Sequence, residues 1–230
     1  MVKISKRMVK VNEGVNKEEL YTIADAVKTL KEASAVKFDE TLEVALRLNV
    51  DPRQADQNLR GMISLPHGTG KTVKVAVFCD EDKVADAKAA GADKAGAEEL
   101  IAEIKKGTVD FDVAIATPDM MPKMGQVARV LGPKGLMPNP KLGTVTPNFA
   151  EAVKKAKAGQ VEYRVEKLGI VHAGVGKLSF GEEKLMENLK AFLDVVTKAR
   201  PKSVKGAFVK GLSLSTTMGV GLKIDLAEVK

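Results

Sequence analysis

The chain has no tryptophan, one cysteine, two histidines and two tyrosines among its 230 residues. Each shortage excludes something. With aromatics at 4%, a stacked-base platform of the kind single-strand binders use is out of reach, because it needs several flat side chains along one groove. Cys79 alone makes no internal disulfide and no CxxC metal site, which fits a reducing compartment. Closing an apolar run, it reads as a small packing residue. His67 and His172 lack the paired spacing of a metal site and belong to no Ser-His-Asp order, so no metal or other cofactor is expected. No stretch approaches the ~20 uninterrupted apolar residues that span a bilayer. The opening MVKISKRMVKV is basic but has no signal-peptide core. A soluble, cytoplasmic protein with no membrane partner is expected.

What is present begins with 44% hydrophobic residues, enough for one large core or two small ones. The net charge is +7, a modest excess that favours polyanionic partners. Residues 1–67 hold +1 of it, residues 68–159 hold +2 and residues 160–230 hold +4. The 120–150 stretch nevertheless carries Lys123, Arg129, Lys134 and Lys141 with no acidic residue.

The middle and the ends follow different periods. Val73–Phe78 and Asp112–Ala116 are short apolar runs of the buried-strand type, with helical stretches over Glu81–Ala90, Ala97–Lys106, from Pro118–Asp119, and over Phe149–Ala158. Asn148 is placed to cap the last, and Gly159 to stop it. Such alternation predicts parallel strands with crossover helices. Lys37–Val50 instead alternates, with Leu42, Val44, Leu46 and Leu48 on one side and Thr41, Glu43, Arg47 and Asn49 on the other. Glu40 interrupts the apolar side. Two further alternating runs flank Thr216–Gly219 and predict a hairpin. Asn16-x-x-Glu19 resembles a capping box for a helix burying Leu20, Ile23, Val27 and Leu30, and Leu185, Leu189, Phe192 and Val196 mark a second helix. The expected fold is therefore mixed α/β and α+β. A split outer α+β domain, residues 1–67 plus 160–230, would be built from both chain ends, with a three-layer α/β domain inserted at 68–159. Gly68–Gly70 and Ala158–Gly159 would form a two-stranded hinge that permits opening and closing.

Gly68-Thr69-Gly70-Lys71-Thr72 ends like a phosphate-binding P-loop. Leu65 stands where the motif needs its first glycine, and a strand follows where a helix should. A hinge is the better reading, with His67 part of it. The loop 131–143, LGPKGLMPNPKLG, is either a rigid surface loop or a phosphate-contacting one through Lys134 and Lys141. Thr217 and Met218, beside Gly219, form an unusual turn centre, since Asn, Asp or Gly would be favoured there. Hydroxyls and an adaptable apolar side chain beside accessible backbone suit the shallow minor groove of RNA, which is read by shape and 2′-hydroxyls.

Four long motifs occur in order: FDETLEVALRLNVDPRQADQNLRGMISLPHGTGK; ATPDMM with VARVLGPKGLMPNPKLGTVTPN; KLGIVHAGVGKLSF; and STTMGVGLKID. Together they resemble the bacterial-type large-subunit ribosomal protein L-one family. The resemblance implies a Rossmann-like inserted domain and an RNA surface on the outer one. It implies, as binding positions, Lys37, Phe38, Thr41, Glu43, Lys167, His172, Thr217, Met218 and Gly219. Phe38 falls on the apolar side of its strand by alternation, with a foot in each environment. Gly211 departs from the hydroxyl side chain of some relatives. The implied partners are large-subunit rRNA at the mobile stalk, exit-site tRNA whose release the protein assists, and its own operon mRNA, which it represses. The protein would be ribosome-associated, monomeric off the ribosome, and not an enzyme. The rival is a nucleotide- or sugar-phosphate-binding enzyme using the inserted domain, whose strand ends are the usual ligand seat.

Overall fold

A computed structural model describes residues 5–16 and 19–229. The chain forms two compact units, Met1–Gly70 with Val161–Lys230, and Lys71–Gln160. The boundaries thus fall after 70 and 160, slightly beyond the expected 67 and 159. Gly70, at φ +74°, belongs with the outer unit: a Cβ there would lie 2.8 Å from Lys177 Cγ and 2.9 Å from the Phe180 ring.

The outer unit carries a sheet of β1 (Leu20–Tyr21), β2 (Thr41–Leu48), β8 (Ile170–Lys177), β9 (Val209–Thr216) and β10 (Gly221–Ile224), in the order β1-β10-β9-β2-β8. β3 (Arg60–Ser64) and β7 (Gln160–Arg164) make a two-stranded ribbon, where Arg60 and Glu162 pair at 2.8 Å. β2 is antiparallel to both neighbours, with Val44 opposite Ala173 on one side and Leu214 on the other. The expected alternation is present: Leu42, Val44, Leu46 and Leu48 are buried, while Glu43 and Arg47 are exposed. The buried side packs with α2 (Ile23–Glu32) and α8 (Glu182–Lys198), which contribute Val27, Leu30, Leu185, Leu189, Phe192 and Val196. Each such side chain stabilises by roughly 1.5–3 kcal/mol relative to exposure.

The capping-box expectation is corrected. Lys17 and Glu18 lie outside the described residues, and the helix starts only at Ile23. Thr22 caps it, accepting from Asp25 N–H at 3.1 Å and donating to Asp25 Oδ2 at 2.7 Å. Leu20 sits in β1, paired with Lys223, and is 65% exposed. An eight-residue helix, α1 (Lys6–Glu13), was not foreseen. Only Val11 of it is buried, which is too little for an apolar period to show.

The second unit holds three parallel strands, β4 (Val75–Phe78), β5 (Lys94–Gly96) and β6 (Val113–Ala116), ordered β5-β4-β6. Its sheet is buried on both faces. Ala76, Phe78, Ala114 and Ala116 join α4 (Glu98–Lys105) and Met120, Met124, Val127 and Leu131 in one cluster. Val75, Val77, Cys79 and Ile115 join Ala87 of α3 (Val84–Ala89) and Val153 and Ala156 of α7 (Phe149–Lys157) in another. The helix expected over Glu81–Ala90 opens with a 3-10 turn, Glu81–Lys83. The stretch from Pro118 breaks into short turns that include α5 (Met121–Met124) and α6 (Ala128–Leu131), because its prolines and glycines interrupt a continuous ladder.

Candidate nucleic-acid interface

The face of the five-stranded sheet opposite the helices presents Thr41, Glu43, Ala45 and Arg47 of β2, Ile170, His172 and Gly174 of β8, Gly211, Ser213 and Ser215 of β9, and Gly221 and Lys223 of β10. Register sets Glu43 between Gly174 and Ser215, and Ala45 between His172 and Ser213. Most of these side chains are small, so the backbone is close to the surface. The face is hydroxyl-bearing and edged by cations, and it dips into a cavity of about 480 Å³ lined by Ala45, Arg47, Ile170, Gly211, Ser213 and Lys223.

At one end of the sheet the turn 217–219 closes against the start of β2. Thr41 N–H donates to Thr217 Oγ1 at 3.0 Å, and the Thr217 hydroxyl donates back to Thr41 C=O at 3.5 Å. Lys177 Nζ donates to Thr41 Oγ1 at 2.9 Å and to Asp39 C=O at 3.0 Å. Asp39 accepts from Ser179 through both carboxylate oxygens, and Arg7 donates to Met218 C=O at 2.8 Å. Met218 itself is 46% exposed. Gly219 is needed for close approach: a Cβ there would fall 2.1 Å from Thr216 Oγ1, a buried hydroxyl with no hydrogen-bond partner among the described residues.

The structure therefore brings Lys37, Phe38, Thr41, Thr217, Met218 and Gly219 to one end of the sheet. Glu43 and His172 occupy the open face further along. Lys167 lies at the opposite end, in the turn from β7 to β8 where Gly169 has φ +77° and donates to Glu166 C=O. His172 Nε2 is 3.4 Å from Glu166 Oε1. Phe38 departs from expectation. β2 begins at Thr41, so the alternation does not reach Phe38, which is plainly exposed at 53%. The residues that sequence reasoning missed are Arg7, Asp39, Glu40, Lys177 and Ser179, which hold this end in shape. The only signal was Glu40 on an apolar side.

In the second unit Lys123 is not free, contrary to what the acid-free stretch suggested. Glu98 from α4 reaches it at 3.2 Å. Among the described residues Arg129, Lys134 and Lys141 make no side-chain ion pair, and all three are exposed. Met120 and Met124 are core, and Met121 and Met137 pack partly against it. His67 pairs with Glu187. Asn188, fully buried, accepts from His67 N–H at 3.0 Å and donates to Gly68 C=O at 3.0 Å, which fastens that segment to α8.

An open sheet face of small, hydroxyl-bearing and cationic residues suits a polyanionic partner. Residues 30–220 match the model of the Ribosomal protein L1p/L10e family, and the chain belongs to that family. It is a structural ribosomal protein that binds large-subunit rRNA, and the family is not one of enzymes.

Proposed function

We propose that the chain, through its split outer domain, grips a structured element of large-subunit rRNA at the mobile stalk beside the tRNA exit site. The Thr41–Thr217–Met218 end of the sheet is the centre of the contact, and the observation that carries this reading is the bonded cluster there beside exposed Phe38 and Met218. Thr41, Thr217 and Glu43 offer partners to 2′-hydroxyls and base edges in a shallow minor groove. Lys37, Arg47, Lys210 and Lys223 neutralise phosphates around it, and Lys167 and His172 extend the surface. Arg129, Lys134 and Lys141 of the inserted domain supply further phosphate contacts. By the same recognition the protein assists release of deacylated tRNA, binds its own operon mRNA as a mimic of the rRNA site, and represses it as a monomer.

A sugar-phosphate enzyme would seat its ligand outside the carboxyl ends of the parallel strands. Those ends here continue into Asp80, Glu81 and Asp82, into Glu98 and Glu99, and into Asp119. Carboxylates at that rim repel phosphate, which disfavours the rival. The test of the RNA reading is a salt titration of binding to a stalk rRNA fragment. The four outer-domain cations alone make affinity fall on the order of a hundredfold between about 50 and about 200 mM salt, and contacts from the inserted domain steepen that fall. Affinity that barely moved would remove the phosphate contacts from the model.

A further inference from the structure

We propose that Glu40 is a positioning residue of the RNA interface, one that holds the Met218 peptide in its binding shape; this rests on the RNA reading above. Glu40 is 2% exposed and sits immediately before β2, on the side where Leu42, Val44, Leu46 and Leu48 face the core. A carboxyl group there is costly unless its oxygens are satisfied, and an apolar residue of similar size would avoid the cost. Its oxygens have two partners. Oε1 accepts from Met218 N–H at 2.8 Å, and Oε2 accepts from the Ser34 hydroxyl at 2.5 Å. The main chain of Glu40 is tied as well, its C=O accepting from Leu178 N–H at 2.9 Å.

The arrangement joins points far apart in the chain. The turn 217–219 is anchored through Met218 N–H to Glu40, through Met218 C=O to Arg7, and through the Thr217 hydroxyl to Thr41. Both polar groups of the Met218 residue are therefore held while its side chain stays in solvent. That is preorganisation: the entropy of ordering the turn is lost on folding and not again when RNA arrives. Without the Glu40 acceptor, Met218 N–H would have to find water or another partner. The turn would then sample other shapes, and the Met218 and Thr217 side chains would lose their common orientation. Glu40 touches no RNA in this scheme and acts through Met218.

The experiment uses the full chain with Glu40→Gln, Glu40→Asp and Glu40→Leu, and the stalk rRNA fragment as probe. Glutamine keeps an oxygen for Met218 N–H and turns an amide donor toward the Ser34 hydroxyl. Aspartate keeps the carboxyl but withdraws it by one methylene, and leucine removes it. Expected are affinity within about threefold of the parent for Glu40→Gln and losses of about tenfold or more for the other two. The slope of affinity against salt should be unchanged in all, since no phosphate contact is touched. In the free protein, amide hydrogen exchange at Met218 should be protected in the parent and in Glu40→Gln, and fast in Glu40→Asp. Equal affinity in parent and Glu40→Asp, or equal losses in Glu40→Gln and Glu40→Asp, would overturn the proposal. If Glu40→Leu does not fold, the aspartate and glutamine pair decides alone. A parent chain that fails to bind the fragment strikes at the RNA reading, whereas the exchange measurement judges Glu40 without RNA.

Discussion

The five-stranded and three-stranded sheets of this protein are used in opposite ways. In the outer unit β2 buries every second side chain and offers the others to solvent. In the second unit β4 buries all four of its residues. The difference lies in the connections. Antiparallel neighbours leave one face of a sheet free of crossovers, while parallel strands require helices that cover both faces. A binding surface can be broad only on the first kind, and at the second it is confined to loops.

The comparison is broken most sharply by one carboxylate placed in each sheet. Val77→Asp buries an unpaired charge and should cost about 4 kcal/mol or more, unfolding the second unit in a thermal melt. Ser213→Asp should change stability by no more than about 0.5 kcal/mol, yet weaken rRNA binding by placing negative charge on the contact face. If both variants melt alike, the open face is not open. Thr217→Val is a milder probe. It removes the acceptor for Thr41 N–H, so a loss of about 1 kcal/mol in stability is expected together with weaker RNA retention in filter binding.

Acid separates the units by another route. Asp93 accepts from Val75 N–H at 2.9 Å and pairs with Lys157 at 3.2 Å. The Val75 amide, with Lys157 adding to it, holds its carboxyl below the ordinary 3.8 against the opposing effect of burial. A carboxyl whose folded value is lowered stabilises above its unfolded value, and that contribution disappears as pH falls through the folded one. Asp93→Asn should therefore flatten the dependence of stability on pH below about 4 and leave it unchanged at neutrality, as urea titrations would read. The smallest effect concerns Cys79. Burial, reinforced by Asp80, pushes its thiol above the usual 9.0. A disulfide reagent should label it slowly in the native protein and rapidly in urea, while fast labelling of the native protein would contradict a closed second face.

How far the chain could be read from its letters depended on range. β2, the hairpin of β9 and β10, β4 and β6 declare themselves because apolar spacing is a local signal. β1 and β5 do not, being two and three residues long. α1 hides because one buried valine makes no pattern. The site divides in the same way. Thr217 and Met218 stand out as odd turn residues, and the family motifs supply Lys37 and His172. Glu40 was visible only as an interruption; its meaning needed Met218, 178 positions away. Lys123 looked free until Glu98, 25 positions earlier, came to it.

The strand order β1-β10-β9-β2-β8 also governs the order in which the molecule can be made. β2 emerges early from a synthesising ribosome, but the strands on either side of it, β8 and β9, come from the far end of the chain. At roughly 5–20 residues per second, β2 waits on the order of ten to thirty seconds for its neighbours. The second unit has no such delay, because β4, β5 and β6 emerge in one continuous run. The open face comes into being only once nearly the whole chain is out. A nascent chain that ends before β9 therefore lacks the assembled face, which belongs to the finished protein alone.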